Sequence, residues 1–177
     1  FKEKWEEGKR HIEFCAKIYK EQIKNGMYFL HEHPATAKSW NLKVIQDLLE
    51  EEGVERIVGD QCAYGHIAYD IEGVGSVKKP TGWMTNAKWI GDALKNRCPN
   101  REGKTWHRHI ELHGKLAKNA QVYPKGICKA IIMGLKKQMI EDGRMIMGGI
   151  GIMDKADEGC QEGETGWEEW EIYDDLS

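Results

Sequence analysis

Glu32 stands between two imidazoles in the run His31-Glu32-His33-Pro34. A carboxylate at the end of a buried strand, followed by a Pro that turns the chain outward, can hydrogen-bond a ligand or exchange a proton with it. The histidines raise a second chemistry: His31 with His33, and His107 with His109 and His113. On a strand His107 and His109 point to the same face and would supply two zinc ligands. Neither group has a close Cys pair or HExxH spacing beside it, so no metal is assigned. Lys78-Lys79-Pro80-Thr81-Gly82-Trp83 and Trp106-His107-Arg108-His109 set basic groups beside an aromatic ring. Basic groups neutralise phosphates and a ring face stacks on a base. The candidate nucleic-acid contacts are Lys78, Lys79, Thr81, Trp83, Asn86, His107, Arg108 and His109. Gly73-Val74-Gly75 lacks the third glycine and helix of a phosphate loop and reads as a turn. The sequence offers no Ser-His-Asp order and no activated cysteine.

The elements that must position these residues follow from hydrophobic spacing. Trp5, Ile12, Cys15, Tyr19 and Ile23 recur at helical spacing, and Asn25-Gly26 supplies the stop. Met27 to Leu30 is continuously apolar, as in a strand buried on both faces. A second helix is expected over 37–51 and a strand over 54–58. That alternation favours a parallel sheet with helices on its faces, where ligands bind beyond the carboxyl ends of the strands. Residues 66–71 and 74–77 flank a turn and predict a hairpin. Thr81 to Thr85 adds a strand, Lys88 to Arg97 a helix, Asn100 to Lys104 a polar loop, and His109 to Leu112 a short strand. Pro124 opens a last helix that stops near Asp142-Gly143.

Composition limits the function classes. The chain has 177 residues, of which 40% are hydrophobic, enough for one ordinary core. Residues 151–177 hold ten Asp or Glu and one Lys, leaving 19 acidic and 25 basic residues in 1–150. The body is thus about +6 and the tail about −9, a division that fits a polyanionic partner and a solvated acidic spacer. We expect an α/β domain over 1–143 and a Gly/Met-rich, acidic linker over 144–177. The five cysteines form an odd, widely spaced set without a CxxC pair, which argues against a secreted disulfide framework and for an intracellular setting. No apolar run approaches the ~20 residues of a membrane span, so no membrane partner is expected. The chain opens at Phe1 within an amphipathic pattern, as expected of a piece of a longer polypeptide.

The motif order carries a resemblance. YFLHEHP (28–34), SW (39–40), DQCAYG (60–65), KPTGWMTN (79–86), HRHIEL (107–112) and YPKGICKAI (123–131) resemble a domain of copia-type retrotransposon polyproteins from algal, particularly dinoflagellate, genomes. YDDLS (173–177) is similar to the linker that leads into their reverse transcriptase. This domain in turn resembles the later part of a cytosine-5 DNA methyltransferase. The resemblance implies a partial Rossmann-like, methyltransferase-like sheet with flanking helices and a hairpin insertion, with Glu32 at the position of the Glu that contacts the cytosine ring. It places the Pro-Cys nucleophile loop and the S-adenosylmethionine loop before Phe1, so no cofactor is expected in this chain, although a longer parent would bind S-adenosylmethionine. Covalent attack needs a thiolate as well as a carboxylate, and Cys15 inside a helix face is a poor substitute. The implied function is a nucleic-acid-associated domain, with DNA the expected partner ahead of RNA, next to the reverse transcriptase and catalytically incomplete by itself. Two alternatives stand beside it: a structural spacer or assembly domain of the polyprotein, and a metal-dependent nuclease using the histidine groups.

Overall fold

A 23-residue helix, α1 (Lys2–Lys24), opens the fold in the computed structural model, which describes residues 2–102 and 107–145. It stops where the spacing predicts, with Gly26 at φ 64° supplying the left-handed turn. The strands are β1 (Leu30–Pro34), β2 (Glu55–Asp60), β3 (Ile67–Asp70), β4 (Gly73–Ser76) and β5 (Pro80–Thr85). The remaining helices are α2 (Lys43–Leu49), α3 (Lys88–Leu94), α4 (Gly114–Asn119) and α5 (Lys125–Glu141). No helix among the described residues is long and apolar enough to cross a membrane.

The fold is mixed α/β with flanking helices and a hairpin, but the expected parallel sheet is not what forms. The sheet has three strands in the order β1-β5-β2, and β5 is antiparallel to both neighbours. A parallel neighbour requires a crossover connection, whereas the chain between β2 and β5 is spent on the β3–β4 hairpin. β5 therefore returns antiparallel and inserts between β1 and β2, which run in the same direction without touching. The first strand is also displaced from its expected place: it begins at Leu30 and runs through Pro34, which sits opposite Thr81. Pro is accommodated because β1 is an edge strand whose outer N–H positions need no partner.

Residues opposite each other in this register share a face of the sheet, and each face carries its own core. On one side Met84, Phe29 and Trp40 meet Ile12 and Ala16 of α1 and Ile45 and Leu48 of α2. On the other, Trp83 packs with Ala87, Ile90, Leu94 and Ile127, joining β5 to α3 and α5. Burying each large apolar side chain contributes about 2 kcal/mol. Trp40 seals the first side by lying over Gly82 of β5, where a Cβ would come within 2.7 Å of the indole. The expected second helix is broken: a 3₁₀ turn (Lys38–Asn41) is followed by α2, with Leu42 in extended conformation between them. The strand expected at 109–112 shrinks to a single bridge between His109 and Ser76. Gly103 and Lys104 of the expected polar loop, and the linker from residue 146 onward, lie outside the described residues.

Candidate metal centre

Two glycine- and aspartate-dependent junctions bring distant parts of the sequence to one corner. β2 ends at Gly59-Asp60, and a Cβ on Gly59 would overlap the carbonyl oxygen of Leu94, so only glycine lets the end of β2 meet the end of α3. The contact is then stitched: Asp60 N–H donates to the Asn96 carbonyl at 2.9 Å, and Tyr64 O–H donates to the Ala93 carbonyl at 3.0 Å. Asp60 has no exposed surface, and its Oδ2 accepts both the Arg97 Nε–H and the Cys98 backbone N–H at 2.9 Å. Cys62 follows in the 3₁₀ turn Gln61–Tyr64, closed by Gly65 at φ 76°. The two cysteines thereby face one another across 36 residues of sequence.

The third segment, 107–110, is tied to β4 by a single bridge. Ser76 N–H donates to the Arg108 carbonyl at 2.8 Å and Ile110 N–H to the Ser76 carbonyl at 2.9 Å, which ties 108–110 to β4. Asn100 fixes the residue before: its side chain accepts the His107 N–H at 3.2 Å and donates to the His107 carbonyl at 2.8 Å. His107 and His109 alternate with Arg108 and so point to the same side, toward Cys98.

Cys62, Cys98, His107 and His109 offer four ligand atoms that all lie within 4.8 Å of one another. A tetrahedral zinc with Zn–S about 2.3 Å and Zn–N about 2.0 Å requires S···N edges of about 3.6 Å and N···N edges of about 3.3 Å. Cys98 Sγ lies 3.6 Å from His107 Nε2 and 3.4 Å from His109 Nε2, and the two Nε2 atoms are 2.9 Å apart on perpendicular rings. These three edges match to within about 0.4 Å, and the three edges to Cys62 Sγ are no longer than 4.8 Å. Two thiolates and two neutral imidazoles in a tetrahedron are a zinc donor set, and the thiolates balance the charge of the ion.

The electrostatics agree with the geometry. Burial, with the adjacent His107 and Lys78, holds His109 below the ordinary imidazole range, so at neutral pH its lone pair is free for a cation. Burial and the neighbouring Cys98 thiol push Cys62 up to about 12, a cost that a bound divalent ion reverses by deprotonating the thiol outright. Asp60 Oδ1 is buried and has no hydrogen-bond partner among the described residues.

The other expected site residues are distributed differently. Glu32 is not held by His31 and His33: strand alternation sends it to the opposite face, beside Tyr123, whose hydroxyl is pushed up by burial and then by the Glu32 charge. His31 and His33 stack at 5.9 Å against Trp40 on the α1 side, where Cys15 also lies on its helix. Cys15 and Glu32 are thus separated by the sheet. His113 lies beside Glu111 at 3.2 Å, away from the four ligands.

The expected nucleic-acid contacts other than Lys78 have internal side-chain partners. Trp83 is 1% exposed and packs against Tyr123, so its ring offers no face to a base. Thr81 is buried and accepts from Gln61. Lys79 donates to the Ala120 carbonyl, and Asn86 bridges Phe29 N–H and the Met27 carbonyl. Arg108 forms a bidentate pair with Asp70 at 2.7 and 2.9 Å and reaches the Gly73 carbonyl. Lys78 is half-buried, and its carbonyl accepts the Gln61 N–H. Trp106 lies outside the described residues.

In the sequence His107 and His109 stand out as a same-face pair to which no metal is assigned, whereas Cys62 and Cys98 do not stand out, because neither belongs to a local Cys pair. The available signal was Cys98, His107 and His109 within twelve residues. No family model, curated protein or solved structure matches the chain.

Proposed function

We propose that this chain is a zinc-stabilised structural and assembly domain of a copia-type retrotransposon polyprotein. The observation that carries the metal is the four-atom cluster of Cys62, Cys98, His107 and His109, with spacings that fit a tetrahedral ion. Four protein ligands close the coordination sphere, leaving no position for an activated water, so the site is structural and the nuclease alternative loses its support. The metal ties the end of β2, the end of α3 and the 107–110 segment, which carry DQCAYG and HRHIEL, into one layer. The polyprotein assignment rests on the motif order in the sequence.

The methyltransferase-like, partial Rossmann-like ancestry is part of the proposal. Two strands running in one direction, β1 and β2, with helices on both faces support it. Glu32 is then an inherited position separated by the sheet from Cys15; a thiol on its own side is Cys128 of α5, which lies with Glu32 near the Tyr123 hydroxyl. Nucleic-acid association is a property of the basic body as a whole, since the individual contacts read from the sequence, Lys78 apart, have side chains engaged within the chain.

The test is zinc content after purification in reducing buffer without added metal, together with thermal unfolding before and after chelation. The proposal expects close to one zinc per chain and a midpoint lower by about 10 °C once the ion is removed. A metal-free chain that unfolds identically with and without chelator rejects it.

A further inference from the structure

The β3–β4 hairpin has one occupied edge and one open edge. Ser76 directs its N–H and C=O to residues 108–110, away from β3. Ile67 and Ser76 are therefore a non-hydrogen-bonded pair, consistent with the Val77 N–H donating to the His66 carbonyl at 2.8 Å one position on. Alternation then assigns the ladder bonds to Ala68 with Gly75 and Asp70 with Gly73. The N–H and C=O of Ile67 and Tyr69 point outward, and no partner for them is found among the described residues. Two donors and two acceptors at a two-residue interval are the pattern that another strand would complete.

The space alongside this edge is shaped for a chain. A groove of about 260 Å³ lies between β3 and α4, walled by Ile67, Tyr69 and Leu116. It shares His66, Ile67 and Asn119 with a second groove of about 560 Å³ that runs toward Val122, Tyr123 and Lys125. The grooves expose apolar side chains, with Ile67 52% exposed, Tyr69 67% and Val122 75%, beside the exposed polar Asn119. Lys118 and Lys125, both exposed, flank the helical wall.

We propose that this edge and its groove bind an extended peptide by strand addition. The outward backbone groups of Ile67 and Tyr69 recognise the peptide main chain, the apolar wall takes alternate side chains, and Lys118 and Lys125 favour a peptide with acidic residues at its flanks. This goes beyond the metal reading and does not depend on it. It supplies the assembly domain with a defined contact for another segment of polypeptide.

The test selects peptides from a random dodecapeptide phage library on the full chain and measures the synthetic, fluorescein-labelled consensus peptide by anisotropy. Tyr69→Pro removes one outward N–H while leaving the β3–β4 ladder bonds in place. The proposal expects acidic, alternately apolar peptides, binding at least tenfold weaker to Tyr69→Pro and weaker again to the Lys118→Glu, Lys125→Glu double variant. N-methylation of the peptide should abolish binding at alternate amides and be tolerated at those between. Circular dichroism and zinc content of each variant separate loss of the edge from loss of fold or metal. No enriched peptide, or a consensus that binds Tyr69→Pro undiminished, overturns the proposal. So does a dimer in sedimentation that Tyr69→Pro converts to monomer, because the edge would then serve a second copy of this chain.

Discussion

Asp60 accepts the backbone N–H of Cys98 at 2.9 Å, so a carboxylate with no exposed surface fixes the residue whose thiol lies 3.4 Å from His109 Nε2. The same oxygen accepts Arg97, which compensates the buried charge. Asp60→Ala leaves the Cys98 N–H and Arg97 without their acceptor. We expect the unfolding free energy in urea to fall by roughly 3 kcal/mol, with zinc affinity, measured against a chromophoric chelator, at least tenfold lower. An Asp60→Ala chain with unchanged affinity would mean that this carboxylate does not position the centre.

Gly59→Ala tests the junction rather than a ligand. A Cβ there meets backbone, not a flexible side chain, so β2 and the end of α3 must separate to admit it. The substitution should cost about 2 kcal/mol, and it should weaken zinc binding although residue 59 donates nothing to the ion. Chelator competition read alongside urea unfolding distinguishes this from a uniform loss of stability.

His31 predicts a pH dependence on the other side of the sheet. Burial, then the neighbouring His33 and His11, lowers it from 6.5 to about 4, and its Nδ1 faces the Tyr19 hydroxyl at 3.2 Å. The folded state thus resists a proton that the unfolded state accepts, so stability is full above pH 6.5 and declines as pH falls toward 4. The decline attributable to His31 is at most about 3 kcal/mol, and His66, also lowered mainly by burial, adds in the same direction. Urea midpoints between about pH 7 and 4.5 should fall less steeply for His31→Leu than for the parent chain. Parallel profiles would show that His31 does not titrate in this way.

Arg108 separates two readings of one residue. As a nucleic-acid contact, its loss would weaken DNA binding and reduce the salt slope. Paired with Asp70 and Glu72, it instead anchors the hairpin. We expect Arg108→Ala to raise amide exchange at Ala68 and Gly75, with global stability little changed and DNA binding unchanged. A selective loss of DNA binding without faster exchange would favour the first reading.

The sequence carried the local features and left the long-range ones hidden. The stop of α1 at Asn25-Gly26, the hairpin, and α5 behind Pro124 were legible because periodicity and turn chemistry act over a few residues. Strand direction was not, since nothing in the order helix, strand, helix, strand reveals that β5 returns to lie between β1 and β2. α4, only six residues long, gave no periodic signal. Glu32 and its flanking imidazoles looked like one constellation in sequence, yet a strand sends adjacent residues to opposite faces. The candidate metal centre shows the converse: Cys62 and Cys98 are far apart in the chain and meet only because Gly59 admits the Leu94 carbonyl and Asp60 holds residue 98.

X-ray absorption at the zinc edge, recorded on the purified full chain, examines the four-ligand centre most directly. The structure predicts two sulfur neighbours at about 2.3 Å and two nitrogen neighbours at about 2.0 Å, with one sulfur lost in Cys62→Ser and one imidazole lost in His109→Ala. A shell of nitrogen and oxygen alone, or a spectrum that neither substitution changes, would contradict it.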